Sequence, residues 1–285
     1  MPELELIAAP WCIGLRPGRG GVEPGTWRAP SVLLEAGLAA RLGAAVVTEL
    51  PRPPYDPEPQ PGTRIRNGLT IREHALLLAA AVEAALGAAR VPLVLGGDCS
   101  VLLGGLAGAR RRGTTGLVHI DGHTDFKHPG NADFTELGNA VGMDLALATG
   151  RGELLLTDWP GPLVADRDAV QLGDRTGRPI EPLVVGIAEL LAGGMAAAAE
   201  RAARHLEPPP IWVHVDLDVL DGAVLPAVDT PGSPGLTFAQ LTELLGALWR
   251  TGRVAGLDVA VYDPDLDPEL AHAPSIVGCL AEALV

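Results

Sequence analysis

The sequence predicts an α/β fold in which helices cover both faces of a mainly parallel sheet. Short apolar runs bounded by turn residues, such as Val91–Leu95, are typical of buried parallel strands. They alternate along most of the chain with Ala- and Leu-rich segments such as Thr70–Arg90, which are typical of helices. Neither a linker nor an internal repeat interrupts this alternation, so residues 1–285 are predicted to form a single domain.

The predicted elements follow one another in β-α order. The predicted strands are Leu4–Ala9, Ala44–Leu50, Val91–Leu95, Gly116–Ile120, Ala169–Leu172, Ile211–Asp218 and Val254–Val261. The predicted helices are Pro30–Leu42, Thr70–Arg90, Ser100–Arg112, Gly138–Thr149, Ile187–His205, Phe238–Arg250 and Pro274–Leu284. A capping box is expected at Thr70 and Glu73, and Ser100 is expected to cap its helix. The remaining long segments, Pro51–Arg66 and Phe126–Leu137, are predicted to be a Pro-rich loop and an irregular insertion.

Composition narrows the possible partners. The net charge of −14 argues against nucleic acid and anionic membranes, and no apolar run approaches the length of a membrane span. Three widely spaced cysteines give no disulfide framework, and the first residues are acidic where a signal peptide needs basic ones. These features predict a cytoplasmic protein that acts on a small molecule.

Two aspartate-rich segments each follow a predicted buried strand. Asp121-Gly-His123-Thr-Asp125 comes after Gly116–Ile120, and Asp216-Leu-Asp218 ends the run that begins at Ile211. Side chains alternate along a strand, so continued strands would place each set on one face. Several packed carboxylates need a neutralising cation. Two divalent ions that share these Asp and His ligands, and that activate a water molecule, are the simplest explanation.

Three motifs in this order resemble those of the arginase (ureohydrolase) family. They are Gly96-Gly-Asp-Cys-Ser100, Asp121-Gly-His-Thr-Asp125 and His214-Val-Asp-Leu-Asp-Val-Leu-Asp221. Gly138-Asn139 and Gly232-Ser-Pro-Gly-Leu-Thr237 extend the likeness, which covers essentially the whole chain. The resemblance implies a three-layer α/β/α domain with about eight strands in its central sheet.

The resemblance also implies a ligand set for two Mn²⁺ ions bridged by hydroxide. Asp121 and Asp216 would bridge the ions, Asp125 would bind the first, and His123 and Asp218 would bind the second. The last ligand of the first ion, usually His in the family, is Cys99 here. A thiolate shifts selectivity toward Zn²⁺, Fe²⁺ or Co²⁺, whereas the oxygen-rich remainder favours Mn²⁺. A small buried core residue is the alternative reading of Cys99.

Two positions depart from the family pattern. Val141 replaces a proton-shuttling His in the Gly-Asn-x-His-Gly segment, and Val261 replaces the Glu that grips a guanidinium. A valine offers neither countercharge nor hydrogen bond, so a substrate less cationic than arginine is predicted.

Further residues have candidate roles around this site. His119 and His214 lie two residues before Asp121 and Asp216, where we expect them to support the ligands from behind or to be satisfied core residues, with ligation as the alternative. Lys127 is either a solvated loop residue or a grip on a substrate carboxylate. Asn139 is a candidate substrate-binding residue through the family motif.

The predicted function is hydrolysis of a C–N bond in a linear amidine or guanidine. The metal-bridging hydroxide would attack the planar carbon, and Asp125 would pass a proton to the leaving nitrogen. Two alternatives remain: a catalytically impaired, metal-binding family member, and an amide deacylase on the same fold. Analogy with the family suggests a homo-oligomer, either a trimer or a hexamer.

Overall fold

The computed structural model describes residues 3–113, 115–132, 137–159, 161–207 and 210–285. Within them, one sheet of eight strands has every neighbouring pair parallel, in the order β2-β1-β3-β8-β7-β4-β5-β6. The strands are Leu4–Ala9 (β1), Val46–Glu49 (β2), Val91–Gly96 (β3), Gly116–Ile120 (β4), Ala169–Leu172 (β5), Leu183–Val185 (β6), Ile211–Asp216 (β7) and Val254–Ala260 (β8). The predicted α/β class and parallel sheet are confirmed.

Helices cover both faces of the sheet and complete three layers. The helices are Ala29–Glu35 (α1), Leu38–Leu42 (α2), Gly68–Gly87 (α3), Val101–Arg110 (α4), Asp144–Ala148 (α5), Leu154–Thr157 (α6), Ile187–Gly193 (α7), Met195–His205 (α8), Phe238–Arg250 (α9) and Ala273–Leu284 (α10). Buried residues of α3 to α6 form one hydrophobic cluster, and those of α1, α2 and α7 to α10 form the other. Among the described residues, no helix combines the length and the apolar character needed to cross a membrane.

Glycines divide two of the predicted helices. The segment predicted as Pro30–Leu42 is two helices, because Gly37 has a φ of 92° in the left-handed region. The segment predicted as Ile187–His205 breaks in the same way at Gly194, where φ is 85°. Both predictions of one continuous helix were wrong for this reason.

Helix starts and one strand also differ from the predictions. α3 begins at Gly68 after Asn67, so Thr70 lies inside the helix and the predicted capping box is absent. No side-chain hydrogen bond caps α4 at Ser100. The segment Gly138–Thr149 is helical only in a 3-10 turn at Ala140–Gly142 and in α5. The sequence analysis missed β6, a three-residue strand between Pro182 and Gly186. Four residues of the predicted insertion, 133–136, lie outside the described residues.

Strand order brings the candidate motifs to one edge of the sheet. β4 and β7 pair directly, with His119 opposite His214. β8 lies between β7 and β3. Because all these strands are parallel, the segments that follow Gly96, Ile120, Asp216 and Ala260 meet at their carboxyl ends, where ligands bind in open α/β sheets.

Candidate metal centre

The two aspartate-rich segments leave the strand conformation as soon as β4 and β7 end. Asp121 accepts a hydrogen bond from the backbone N–H of His123 at 2.6 Å, and Asp216 accepts one from the backbone N–H of Asp218 at 2.6 Å. Asp125 then adopts a left-handed conformation with a φ of 42°. Asp121 and Asp216 each cap a turn, and these turns bring the side chains together. The predicted alternation along a continued strand is therefore not the cause of their convergence.

Five predicted ligands converge in two overlapping sets. Side-chain atoms of Asp121, Asp125 and Asp216 lie within 4.8 Å of one another, as do those of Asp121, His123 and Asp218. Nδ1 of His123 is 2.9 Å from a carboxylate oxygen of Asp218. Asp121 belongs to both sets, which is the arrangement expected of a residue shared between two ions.

Cys99 lies beside these carboxylates in the turn after β3. Its sulfur donates to Oδ2 of Asp216 at 2.9 Å, and its side chain is fully buried. Asp98 fixes this turn by accepting from the backbone N–H groups of Gly14 and Ser100, both at 2.8 Å. A side chain at Gly97 would collide with the main chain, because its Cβ would lie 1.6 Å from the carbonyl oxygen of Trp11.

The pKa shifts of these residues show that packing them together is unfavourable unless a cation neutralises them. Burial, and then the charges of neighbouring aspartates, raise the pKa of Asp121 and the pKa of Asp216 well above the usual value. The same causes raise the pKa of Asp125 to about 7. Burial, followed by the charge of Asp216, also raises the pKa of the Cys99 thiol. For His123 the direction of the pKa shift is upward, first because of its hydrogen bond to Asp218.

Behind the carboxylates lies a layer of two stacked imidazoles. The rings of His119 and His214 are 4.7 Å apart at an interplanar angle of 24°, and both are fully buried. Nδ1 of His119 hydrogen-bonds Gln171, and Nδ1 of His214 hydrogen-bonds Asp258. Nε2 of His119 lies 3.8 Å from Oδ2 of Asp121, so His119 packs directly behind this predicted ligand.

Asp144 at the start of α5 belongs to the same layer, and the sequence analysis missed it. It is fully buried, and one of its oxygens lies 3.4 Å from Nε2 of His119. Burial raises its pKa to about 8. The signal was a single charged residue in the apolar run from Met143 to Ala148.

The departures from the family pattern also lie at this edge. Val261 follows β8, is buried, and donates its backbone N–H to Gly97 at 2.8 Å. Its φ of 75° is unusual for a β-branched residue. Val141 is half-buried in the 3-10 turn, and its backbone N–H donates to Gly14.

The two predicted substrate-binding residues, Asn139 and Lys127, have different surroundings. Oδ1 of Asn139 accepts from Nε of Arg66 at 3.3 Å. Lys127 is exposed, and its Nζ lies 3.6 Å from the position that a Cβ atom on Gly142 would occupy. Lys127 therefore borders the segment that contains Val141.

The donor set fits divalent metal ions. Within the part of the chain that the structure describes, Oδ2 of Asp121, Oδ2 of Asp144 and the Nε2 atoms of His119 and His214 are buried without a hydrogen-bond partner. Unpaired polar atoms of this kind are costly unless a cation or proton satisfies them. Carboxylate, imidazole and thiol groups that converge at the carboxyl ends of parallel strands are donors suited to divalent metal ions, at the edge where α/β proteins bind their ligands.

Comparisons with known proteins identify the family. The sequence profile of the arginase family matches residues 6–284, and the chain belongs to this family of hydrolases. Arginase-1 of Homo sapiens is 29% identical over 282 residues, which cover 92% of this chain and 85% of that protein. The structure of arginase from Bacillus caldovelox superposes with a TM-score of 0.85 at 26% identity, covering 100% of this chain and 98% of that one. Formimidoylglutamase from Bacillus subtilis shares the fold, with a TM-score of 0.74 at 19% identity over 100% of this chain and 86% of that one.

Proposed function

We propose that this protein uses two divalent metal ions to hydrolyse a C–N bond in a small, linear amidine or guanidine-type substrate. The observation that carries the proposal is the convergence of Asp121, His123, Asp125, Asp216 and Asp218 in two sets that share Asp121. Five side chains from two neighbouring strand ends serve no evident packing purpose, and the raised pKa values of Asp121, Asp125 and Asp216 show the cost of bringing these carboxyl groups together.

The ligand assignment follows the two sets. Asp121, Asp125 and Asp216 would hold the first ion, and Asp121, His123 and Asp218 would hold the second, with Asp216 as a further shared ligand by family resemblance. Cys99 completes the first set from its position against Asp216. Bound divalent ions supply an acidified water as nucleophile and stabilise developing negative charge. Mn²⁺ suits the oxygen ligands, whereas Zn²⁺, Fe²⁺ or Co²⁺ suits the thiolate.

Asp125 is the residue we assign to proton transfer. Residue Asp125 is more exposed than Asp121, Asp216 and Asp218, which are buried, so it is the aspartate that a leaving nitrogen can approach most readily. General acid catalysis by one positioned carboxyl group contributes about 10²–10⁴-fold.

The substrate preference follows from the groups around the metal ligands. Neither Val141 nor Val261 can pair with a guanidinium, so a strongly cationic head group finds no partner there. Asp263 does not take over this role, because its carboxylate accepts from the backbone N–H groups of Gly25 and Asp265. Lys127, on the exposed side of Gly142, would favour a substrate that carries a carboxylate.

A substrate screen with the metal-loaded protein tests this function. Protein loaded with Mn²⁺ or Zn²⁺ is incubated with guanidines, amidines, formimino compounds and amides, and the released urea, formamide, ammonia or free amine is measured for each class. We expect turnover of an amidine or a weakly cationic guanidine. The metal-free protein and Asp218→Asn are controls that should be inactive.

Other results of this screen would select an alternative. Hydrolysis confined to amides would identify a deacylase, and full metal loading without turnover of any class would identify an impaired family member. We also propose a cytoplasmic homo-oligomer, a trimer or hexamer, which sedimentation of the metal-loaded protein would test.

A further inference from the structure

The buried layer behind the carboxylates contains a second possible ligand set. Side-chain atoms of Cys99, Asp144 and His214 lie within 4.8 Å of one another, and all three residues are fully buried. Only Cys99 belongs to the set that family resemblance assigns to the two ions. Asp144 and His214 are therefore buried polar groups that the proposed reaction does not use.

The hydrogen bonds of His214 determine which ring nitrogen faces this cluster. Its Nδ1 hydrogen-bonds Oδ2 of Asp258, and the other oxygen of Asp258 accepts from the indole N–H of Trp212 at 2.5 Å. A carboxylate only accepts, so Nδ1 carries the hydrogen and Nε2 of the neutral ring keeps its lone pair. Carboxylate–histidine pairs orient metal-binding imidazoles in this way.

His119 is oriented by the same logic. The amide nitrogen of Gln171 donates to the carbonyl oxygens of Asp121 and His123 at 2.9 and 2.6 Å. The amide oxygen of Gln171 must then accept from Nδ1 of His119, which leaves Nε2 of a neutral His119 ring with its lone pair as well.

Asp144 lies between these two lone pairs. Its Oδ1 accepts from the backbone N–H of Leu145, and its Oδ2 has no hydrogen-bond partner among the described residues. Oδ1 is 3.4 Å from Nε2 of His119, and Oδ2 is 3.6 Å from Nε2 of His214. These distances exceed a hydrogen bond but match neighbouring ligands of a tetrahedral ion, which lie about 3.3–3.8 Å apart for bonds of about 2.0–2.3 Å.

We propose that Cys99, Asp144 and His214 bind a third divalent ion of the Zn²⁺ class, behind the pair held by the aspartates. Thiolate, imidazole and carboxylate together are a typical donor set for Zn²⁺. The thiolate of Cys99 then lies between this buried ion and the first ion of the pair, since its sulfur also contacts Asp216. The ion satisfies Oδ2 of Asp144 and Nε2 of His214 at once.

Asp144→Asn is the variant that tests this site. The amide oxygen of the introduced asparagine can still accept from Leu145, and its NH₂ group can donate to an imidazole lone pair, so the metal-free variant should fold and melt no lower than the wild type. Metal-stripped, full-length protein is reloaded with excess Zn²⁺, freed of unbound metal and analysed for bound zinc. We expect three ions per chain in the wild type and two in Asp144→Asn.

Two control variants separate this site from the proposed pair. Asp166→Asn, a remote change at a carboxylate that pairs with Arg151, should retain three ions. Asp218→Asn should weaken the pair but retain the buried ion. Loss of ions from the aspartate pair and loss of the buried ion therefore give different numbers of zinc ions per chain.

Two outcomes would overturn the proposal. Equal zinc content in the wild type and Asp144→Asn would show that Asp144 and the histidines share a proton and not an ion. Anomalous scattering from zinc-loaded wild-type crystals gives a test that needs no variant. A peak bonded to Asp144 and His214 supports the site, and peaks confined to the aspartate pair refute it.

Discussion

The ends of β4 and β7 differ sharply from the end of β8 and the adjoining Gly138–Gly142 segment. The first region contains five of the six Asp and His ligands of the arginase pattern, and Cys99, after β3, stands at the position of the sixth. The second contains Val141 and Val261 where the family pattern has an imidazole and a carboxylate. The first region favours metal ligation, and under the proposed function the second would determine the choice of substrate.

This difference separates two requirements that the family name does not distinguish. One is neutralisation of the packed carboxylates, and the other is recognition of the substrate. Packed carboxylates must be neutralised whatever the substrate is, because their mutual repulsion and burial are costs to the fold itself. Substrate-contacting residues carry no such constraint, so they can change while the fold and metal ligands remain. Membership of the arginase family therefore establishes the architecture more firmly than it establishes arginine as the substrate.

The largest expected effect comes from removing a shared ligand in the first region. Asp121→Ala should empty both sites of the pair and abolish hydrolysis, because Asp121 belongs to both ligand sets. Elemental analysis and the substrate screen measure the two losses. Glu200→Ala, an exposed change on α8, is the control and should alter neither. Retention of two ions by Asp121→Ala would contradict the assignment.

The next largest effect should come from restoring the second region. Val261→Glu combined with Val141→His should increase guanidine hydrolysis, since a shuttling His contributes about 10²–10⁴-fold and a charge-assisted hydrogen bond about 1.5–3 kcal/mol. Glu is also less strained than Val at a positive φ. Rates of urea release from arginine by wild type, both single variants and the double variant measure the gain. No gain in any variant would mean that other pocket residues exclude the guanidine.

The metal-free protein should lose stability as the pH rises from about 4 to 8. The pKa of Asp125 is about 7 and that of Asp144 about 8, so the folded state retains protons that the unfolded chain releases near pH 4. The unfolded state then binds fewer protons, and the free energy of unfolding falls by up to about 1.4 kcal/mol per pH unit for each retained proton. Denaturant titrations across this range, with and without metal, measure the slope. A flat profile in the metal-free protein would count against the buried carboxylates.

A smaller effect is expected from Lys127, the only lysine in the sequence. Lys127→Met should raise KM for a carboxylate-bearing substrate by about 3–10-fold with kcat nearly unchanged, since an exposed ion pair contributes at most about 1 kcal/mol and a partly shielded one somewhat more. Lys127→Arg preserves the charge and should preserve KM. If Lys127→Met leaves KM unchanged, Lys127 is a solvated loop residue.

The sequence was sufficient for the parallel sheet and for the position of the ligands on it. Buried parallel strands are continuous apolar runs, and the motifs directly follow Gly96 and Ile120 or end β7 at Asp216, so the ends of these runs placed the motifs at one edge of the sheet. The helix predictions were wrong where a single glycine with a positive φ ended a helix. Gly37 and Gly194 ended helices whose apolar pattern continued past them. β6 was too short to produce a pattern.

The buried layer could be predicted only in part. His119 and His214 were recognisable because they alternate with Asp121 and Asp216 on their strands. Asp144 comes from a short helix that only tertiary packing brings beneath the strand ends, so no local pattern linked it to the histidines. Asp258 and Gln171 matter through hydrogen bonds to the histidines, which depend on strand pairing across the sheet.

Urea release from L-arginine by the Mn²⁺-loaded wild type tests most directly the claim that the metal ligands are complete while the guanidinium clamp is missing. The measurement should span about pH 7–10, which brackets the ionisation of metal-bound water. We predict two bound ions in the aspartate pair and a turnover number well below the median enzyme value of about 10 s⁻¹. Turnover at or above about 10 s⁻¹ would contradict the account, because it would show that arginine is recognised without a carboxylate at Val261 or an imidazole at Val141.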